Sequence, residues 1–527
     1  MNRVAAGTAW AEANWWHWLA LLAGLLLSAA PARAQRPHPT PLPAAAPDSL
    51  RRLEDRPPPL APVVAPTDTL VRITPCPATG GRVRVGAILF AGNHRTVERA
   101  LRAELNFREG DSLDVADLPA RLEANRRRIY NLQLFHAVLV QASCGGTGRL
   151  TVLFSVQERW YVLPTPILSL AVPRGDFNLW RARADRWQRI DYGLHLVDTN
   201  FRGRAEQLTA NIQFGFNRKF EVLYEAPGLG KRRRVGVGFG VSYYQSRSLD
   251  YRTQGDTFAT CHQNSDFPIQ RFYVSGGIRL RHTVQLVSSL DVSYHRELIS
   301  DTILFVNPAF FLGRQQRQYL ELGAATTLNQ RNTFAYPVTG RFMQATLTFR
   351  QFTGPEAAAP YLIGRLHYAQ YFSLGRNVYY SIGAWAQTRV LNAQIAYADA
   401  RTLGGDVQVR GYNSYIVEGR TYGLLQQGLS FRAWAPPPLR IPFVKDPKIN
   451  TLPLAVYLNA FADAGLSAGR LGYYPQMPNQ LPNQLLASVG LGAHLVTYYD
   501  RVFRFEIVRT LSVYPQIVFL FNTGFPI

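Results

Sequence analysis

The sequence predicts a mainly β protein: a transmembrane barrel of about 16 antiparallel strands, preceded by one small α+β unit ordered β-α-α-β-β. Three observations predict it. An export signal opens the chain. A stretch from Arg82 to Glu158 mixes strand and helix periodicities. From Trp160 to the end a single dyad alternation persists, apolar on one face and polar or small on the other.

At 527 residues the chain is long for one ordinary domain. With 57 Lys and Arg against 35 Asp and Glu, its formal charge is +22. Such charge raises the question of nucleic acid. The arginines, however, scatter through polar turns, as in Arg126-Arg127-Arg128 and Lys231-Arg232-Arg233-Arg234, and line no recognition helix. Nucleic acid is therefore not an expected partner, and a basic surface facing anionic lipid accounts better for the charge. Beyond the N-terminus no apolar run reaches the length of a membrane helix.

Residues 1–34 read as a secretory signal. Arg3 supplies the positive start, Trp18 to Ala30 is an apolar core too short to span a bilayer, and Ala32-Arg33-Ala34 fits a cleavage site. Gln35 would begin the mature chain; with no cysteine there, a lipoprotein anchor is not expected. Residues 35–80 are rich in Pro and Ala, a composition that builds no core and forms a tether.

Residues 82–158 form the small unit. Val83 to Phe90 is strand-like and is closed by Gly92-Asn93. Val97 to Leu105 has helical spacing, and Asp111 opens a second helical stretch with Leu118, Leu122, Ile129 and Leu132 on one face. Two strands follow, Phe135 to Gln141 and Leu150 to Val156, joined by the turn-rich Cys144-Gly145-Gly146-Thr147-Gly148. This order, present once, resembles a POTRA domain, the periplasmic module of outer-membrane assembly proteins.

Residues 160–527 carry the barrel pattern. Val235, Val237, Phe239, Val241 and Tyr243 alternate with glycines and Ser242; Met343, Ala345, Leu347 and Phe349 alternate with Gln344, Thr346, Thr348 and Arg350. Near the end Phe503, Phe505 and Ile507 alternate with Arg504, Glu506 and Val508. A soluble sandwich also alternates. The export signal, the persistence of the repeat and the aromatics clustered at strand ends favour the membrane. At about 22 residues per strand and turn, the roughly 360 residues allow about 16 strands, an even number.

Two motifs stand out within the barrel: Val409-Arg410-Gly411-Tyr412 on a loop, and Phe461-x-Asp463-x-Gly465 on a strand. Asp463 is in phase with Tyr457 and Asn459 and opposite Leu454, Val456 and Leu458, which places it on the lumen side. Arg410 meets it only if the loop folds back into the barrel, where the pair is shielded from bulk solvent. The bland alternative is an ordinary exposed Arg-Gly-Tyr turn.

Together with the POTRA-like unit, these motifs resemble the BamA/TamA superfamily of outer-membrane assembly and translocation proteins, over about residues 82–527. The resemblance implies that the sixth extracellular loop folds into the barrel, with Arg410 as its tip cation and Asp463 as the wall partner. It implies a lateral gate between the first and last strands, here near Pro166 to Val172 and Val513 to Phe525. Pro166 and Pro515 would each remove a ladder donor from that seam. Phe519, Phe521 and Phe525 share one phase, like an aromatic targeting signal, although Pro526-Ile527 departs from the usual terminal aromatic. The family's use of its second POTRA strand as a client edge points to Phe135, Val138 and Val140. In a POTRA-like sheet Cys76 and Cys144 lie near one another, so a disulfide between them is expected, leaving Cys261 as a free thiol. Central assembly proteins usually carry several POTRA domains; one copy fits an accessory or specialised member.

Gly465-Leu466-Ser467-Ala468-Gly469 matches a nucleophile elbow, which needs a strand-turn-helix context. The following Arg470 to Pro475 has no helical pattern. No metal-spaced histidines, paired carboxylates or phosphate loop accompany it, so no catalysis, cofactor or metal is expected. The resemblance implies instead a protein of the bacterial outer membrane, with its POTRA domain in the periplasm, that assists insertion or translocation of polypeptides. Its partners would be outer-membrane lipid, unfolded or partly folded clients, and periplasmic accessory proteins. A secretion pore of the two-partner type and a passive solute channel are the competing readings.

Overall fold

The computed structural model describes residues 71–74, 81–144, 149–171, 180–230, 233–263, 266–354, 358–390, 394–404, 407–436, 439–440, 451–469, 471, 479–525 and 527. The expected export signal, most of the Pro/Ala-rich stretch, Cys76, Lys231 and Arg232 lie outside them.

The N-terminal unit comprises β1 (Val71–Ile73), β2 (Arg82–Ala91), α1 (Glu98–Arg102), β3 (Ser112–Asp114), α2 (Leu118–Tyr130), β4 (Phe135–Cys144) and β5 (Leu150–Glu158). Its sheet runs β1-β4-β5-β2-β3. The antiparallel β4–β5 pair and the parallel β2–β5 pair follow from the chain order, because α1 and α2 provide the crossover that a parallel pair requires. Helix α2 lays Leu118, Leu122 and Ile129 onto Val85, Phe135, Val138, Val140 and Phe154 of the sheet, all buried. Leu122→Ala at this contact would cost about 2–5 kcal/mol.

Arg126, Arg127 and Arg128 lie in the last turns of α2, not in a turn region. Glu123 accepts from Arg126 at 2.7 Å and from Arg127 at 2.6 Å, the i,i+3 and i,i+4 geometry a helix surface offers.

The free-edge assignment is corrected at Val140 alone; Phe135 and Val138 pair only with β5 in the ladders of the described residues. Strand β4 is not terminal: Val71, Arg72 and Ile73 pair in parallel with Val140, Gln141 and Ala142. A row of unpaired backbone groups attracts any nearby extended segment, and Val-Arg-Ile supplies two apolar residues that pack on the unit's core. Phe135, Val138 and Val140 are themselves buried core residues.

The barrel is one sheet of sixteen strands. They are β6 (Val162–Leu170), β7 (Ile190–Phe201), β8 (Glu206–Gly215), β9 (Asn217–Leu229) and β10 (Val235–Ser246). After an outer hairpin, β11 (Ser248–Gln254) and β12 (Thr257–His262), come β13 (Ile269–Arg281) and β14 (Leu286–Ile299). A short helix, α3 (Asp301–Val306), precedes β15 (Gln316–Asn329), β16 (Gly340–Thr353), β17 (Tyr361–Ser373) and β18 (Val378–Val390). A long loop bearing β19 (Arg401–Leu403) and β20 (Val417–Glu418) leads to β21 (Thr421–Trp434). Two short strands, β22 (Leu439–Arg440) and β23 (Thr451–Leu452), precede β24 (Ala455–Ala468), β25 (Leu485–Thr497), β26 (Arg501–Thr510) and β27 (Ile517–Thr523).

Alternate residues do what the dyad pattern requires. Val235 and Phe239, Met343 and Leu347, and Phe505 and Ile507 point outward, whereas Thr348, Ser381 and Glu506 are buried inside. Among the described residues no helix is long and apolar enough to cross a membrane.

The sheet does not close. Strand β6 pairs only with β7, and β27 only with β26, so the two ends of the sheet face one another without a ladder among the described residues. The seam strands differ in extent from the sequence reading. The first begins at Val162, and the last runs only from Ile517 to Thr523, leaving Pro515 in the preceding turn. Phe525 leaves the phase of Phe519 and Phe521 because Gly524 takes φ +85° and turns the chain inward. Phe525 then packs on Tyr336 and Tyr371, and Ile527 lodges against Tyr371, whose hydroxyl donates to the Ile527 carbonyl at 2.7 Å.

Candidate functional site

The long loop after β18 descends into the barrel and brings the two motifs together. Arg410 Nε donates to Asp463 Oδ2 at 2.7 Å and Nη2 to Oδ1 at 2.5 Å, a bidentate fork, while the Arg410 backbone N–H donates to Oδ2 at 3.1 Å. The guanidinium lies 3.6 Å from the centroid of Phe461, the aromatic residue of the same strand motif. Both charged residues are only 3% exposed. Gln426 donates to Asp463 at 3.0 Å, satisfying a further lone pair.

The flanking residues explain the motif's small positions. A Cβ on Gly465 would sit 2.6 Å from a methyl of Val409, so glycine leaves room for that loop side chain to pack on the wall. Gly411 takes φ +90° against Thr510 and Val508, which turns the chain so that Tyr412 reaches Ser512. Val409 and Tyr412 are buried in a cluster with Leu403, Val417 and Leu424.

Two further carboxylates belong to this arrangement and carried no sequence motif. Glu506 on β26 accepts from Arg410 Nη1 at 3.4 Å and from Arg504 at 3.2 Å. Its alternation with Phe505 and Ile507 was the available signal. Asp399, in the same loop as Arg410, accepts from Arg317 at 2.7 Å and Arg350 at 3.0 Å, residues of β15 and β16. Burial raises the Asp399 carboxyl, but the two guanidinium charges outweigh it and hold it below the ordinary carboxylate range. The loop is thus fastened at an anionic and at a cationic point to different walls.

With this geometry in place, two family models match the chain. One, described as the Omp85 superfamily domain, covers residues 200–497, over half of the sequence. The chain belongs to the Omp85 superfamily. The other, described as POTRA, surface antigen variable number repeat, covers residues 83–159. Similar solved structures include BamA from Haemophilus ducreyi lacking POTRA domains 1–3, at 14% identity, 84% coverage of each chain and TM-score 0.48. CdiB from Acinetobacter baumannii is 17% identical, with 84% of this chain and 73% of that one covered and TM-score 0.43. CdiB from Escherichia coli is 15% identical, covering 84% and 75%, with TM-score 0.47. No curated protein matches. Membership rests on the family match, and it places the barrel in the outer membrane with the POTRA domain in the periplasm.

In this Omp85 protein the POTRA domain docks on the periplasmic rim through the turn before β26. Arg159 Nη2 donates to Asp500 at 2.6 Å, and the Tyr130 hydroxyl donates to the same carboxylate at 3.1 Å. Burial, reinforced by the Asp500 charge, raises the Tyr130 phenol and keeps it a donor. His136 packs edge-on against Tyr499, and Arg281 of β13 donates to Glu104 at 2.5 Å. Tyr499 and Asp500 both take positive φ, so this turn is shaped to present those side chains.

On the outer side, Asp256 at the β11–β12 tip accepts from the backbone of Gln480 and from Tyr514 at 2.9 Å each, joining three loops over the lumen. Ser467 of the elbow-like sequence is an interior residue of β24. It is buried, donates to the Glu418 carbonyl at 3.1 Å and lies 2.6 Å from Thr402 Oγ1, so it fastens the loop to the wall. Cys144 is disulfide-bonded and Cys261 carries a free thiol; the expected partner, Cys76, lies outside the described residues.

Proposed function

We propose that this Omp85 protein assists the insertion or translocation of client polypeptides at the outer membrane, using its POTRA domain and lateral opening at the β6–β27 seam. Residues 1–34 act as export signal, 35–80 as tether, 82–158 as the POTRA domain and 160–527 as the barrel. The observation that carries the reading is the unpaired seam. A barrel in lipid must satisfy every backbone group within itself, and a sheet end left without a ladder is tolerated only where another strand can supply the partners. Lumen transport of small solutes is disfavoured by the inserted loop, the joined outer loops and the docked POTRA domain. The chemistry is exchange of main-chain hydrogen bonds, which requires no cofactor or catalytic residue.

Depletion of the protein in its native cell tests the reading. Loss of many outer-membrane proteins as a class supports insertion. Loss of one exported protein alone would assign it to dedicated secretion, and unchanged levels of both would refute the proposal.

A further inference from the structure

Toward the outer loops, the lipid-facing surface of β9, β10 and β13 changes chemistry row by row, and strand register sets the rows. Val222, Val241 and Val274 lie side by side in the first, Phe220, Tyr243 and Phe272 in the next, and Arg218, Gln245 and Gln270 in the row nearest the loops. Phe220 and Val222 are exposed, so Arg218, in phase with them, points away from the lumen, while Lys219 pairs with Glu221 at 2.8 Å on the inner side. Apolar, then aromatic, then cation and amide is the order in which a bilayer passes from hydrocarbon to headgroup. Beside the last row, the guanidinium carbons of Arg218 and Arg247 lie 5.0 and 4.8 Å from the centroid of the same ring, Phe267. Among the described residues neither arginine has a carboxylate within ion-pair distance. Arg247 Nη1 donates to the Gly215 carbonyl at 3.3 Å, but its Nε is buried with no acceptor. The neighbouring acid, Asp266, accepts from the Phe267 N–H at 2.7 Å.

We propose that Arg218 and Arg247 bind the phosphate of an anionic outer-leaflet lipid, whose acyl chains lie on the aromatic and apolar rows beneath. Two guanidiniums beside one ring repel each other, and the ring's π face offsets only part of that repulsion. A phosphate monoester supplies the missing counter-charge and accepts from both planar forks. The Gln270 side-chain oxygen, which would repel a phosphate, is covered by two donors, Gln245 Nε2 and the Tyr243 hydroxyl, at 3.2 Å each. A dissolved anion gains contact with the arginines alone, whereas a lipid also gains apolar contact along the strands below them, which favours the lipid. The cation of the same row that faces inward is already matched: Arg271, between Gln270 and Phe272, pairs with Glu297 at 3.5 Å. The site requires only the barrel's place in the outer membrane and no property of the seam.

The test measures lipid retention by the full chain in detergent micelles, read by native mass spectrometry. The probes are dimyristoylphosphatidic acid, a phosphate monoester, and dimyristoylphosphatidylcholine. The unmodified protein should retain the first in preference to the second, and Arg218→Ala with Arg247→Ala should cut that preference by about tenfold. Arg218→Gln alone should give a smaller fall in the same direction, which keeps the comparison open should the double variant fail to fold. Arg271→Gln removes the same charge at the same height from the inner face and should leave the preference unchanged. No preference in the unmodified protein overturns the inference, as does a preference that survives in Arg218→Gln and in a heat-modifiable double variant. An equal fall in Arg218→Gln and Arg271→Gln also overturns it, reducing the effect to net charge. Full displacement of the lipid by millimolar inorganic phosphate would overturn it as well, assigning the two arginines to a dissolved anion.

Discussion

Asp399 and Arg410 lie on one loop with opposite charges, and each is met by two opposite charges from the barrel wall. Arg317 and Arg350 hold the carboxylate; Asp463 and Glu506 hold the guanidinium. A loop clamped by both signs resists sliding, because a displacement that separates either pair exposes a buried charge without its partner.

Arg410→Ala should therefore weaken the folded barrel by on the order of 3–5 kcal/mol, since Asp463 would stay buried without its cation. Arg410→Lys should recover only part of this, having no planar fork for the two carboxylate oxygens. Arg376→Ala, in an exposed turn, serves as the control. Heat-modifiable gel mobility and complementation check the order, with Arg376→Ala near the unmodified protein, Arg410→Lys intermediate and Arg410→Ala lowest. Equal behaviour of the Arg410 and Arg376 variants would refute the clamp.

The Asp399 anchor makes a pH prediction. Its carboxyl is held below the ordinary range in the folded protein, so its stabilisation is present above the unfolded value of about 3.9 and is lost as pH falls below it. Protease cleavage within residues 394–404 should stay slow from neutral pH to about 5 and accelerate only below about 4. Asp399→Asn should show fast cleavage at neutral pH and lose most of this dependence. Acceleration already near neutrality would assign the release to another group.

At the periplasmic rim, Asp500→Ala removes the partner of a buried Arg159 and a Tyr130 acceptor together. The expected result is faster amide exchange around Trp160, with unchanged heat-modifiability of the barrel, because the lost contacts join domains rather than strands. Unaltered exchange at that junction would show that the remaining contacts suffice for docking.

Locking the seam addresses function directly. Cysteines at Leu168 and Phe519, in the Cys261→Ser background, should form a disulfide whenever the two edges meet. The oxidised protein should remain a folded barrel and lose complementation, with reduction restoring it. Full complementation by the oxidised form would mean that clients pass through the lumen.

Much of this was legible in the residues. Period-two alternation such as Phe503-Arg504-Phe505-Glu506 marks a strand with one lipid face, and the sheet has sixteen strands of this kind. Arg410 and Asp463 were legible because each sits in a recognisable spacing. Asp399 was not. Its partners are 82 and 49 residues away, and an isolated acid in a loop has no local pattern. Glu506 was visible as an inward residue, but nothing local tied it to Arg410. Strand β1 was hidden for a different reason: three residues beside a proline-rich stretch show too little periodicity to be read as a strand. The inward turn of Phe525 was missed because a phase argument assumes regular backbone, and Gly524 ends that regularity.

Under the proposed function, a client strand that pairs on β4 competes with Val71–Ile73 for part of that edge. The occupant is attached to the surface it covers, so its effective concentration there is on the order of millimolar for a short connection. A free peptide offering the same three backbone partners would have to match that concentration to take the place. A longer polypeptide has another route. It can engage other surfaces first, gain proximity from that engagement, and exchange with the resident segment one hydrogen bond at a time.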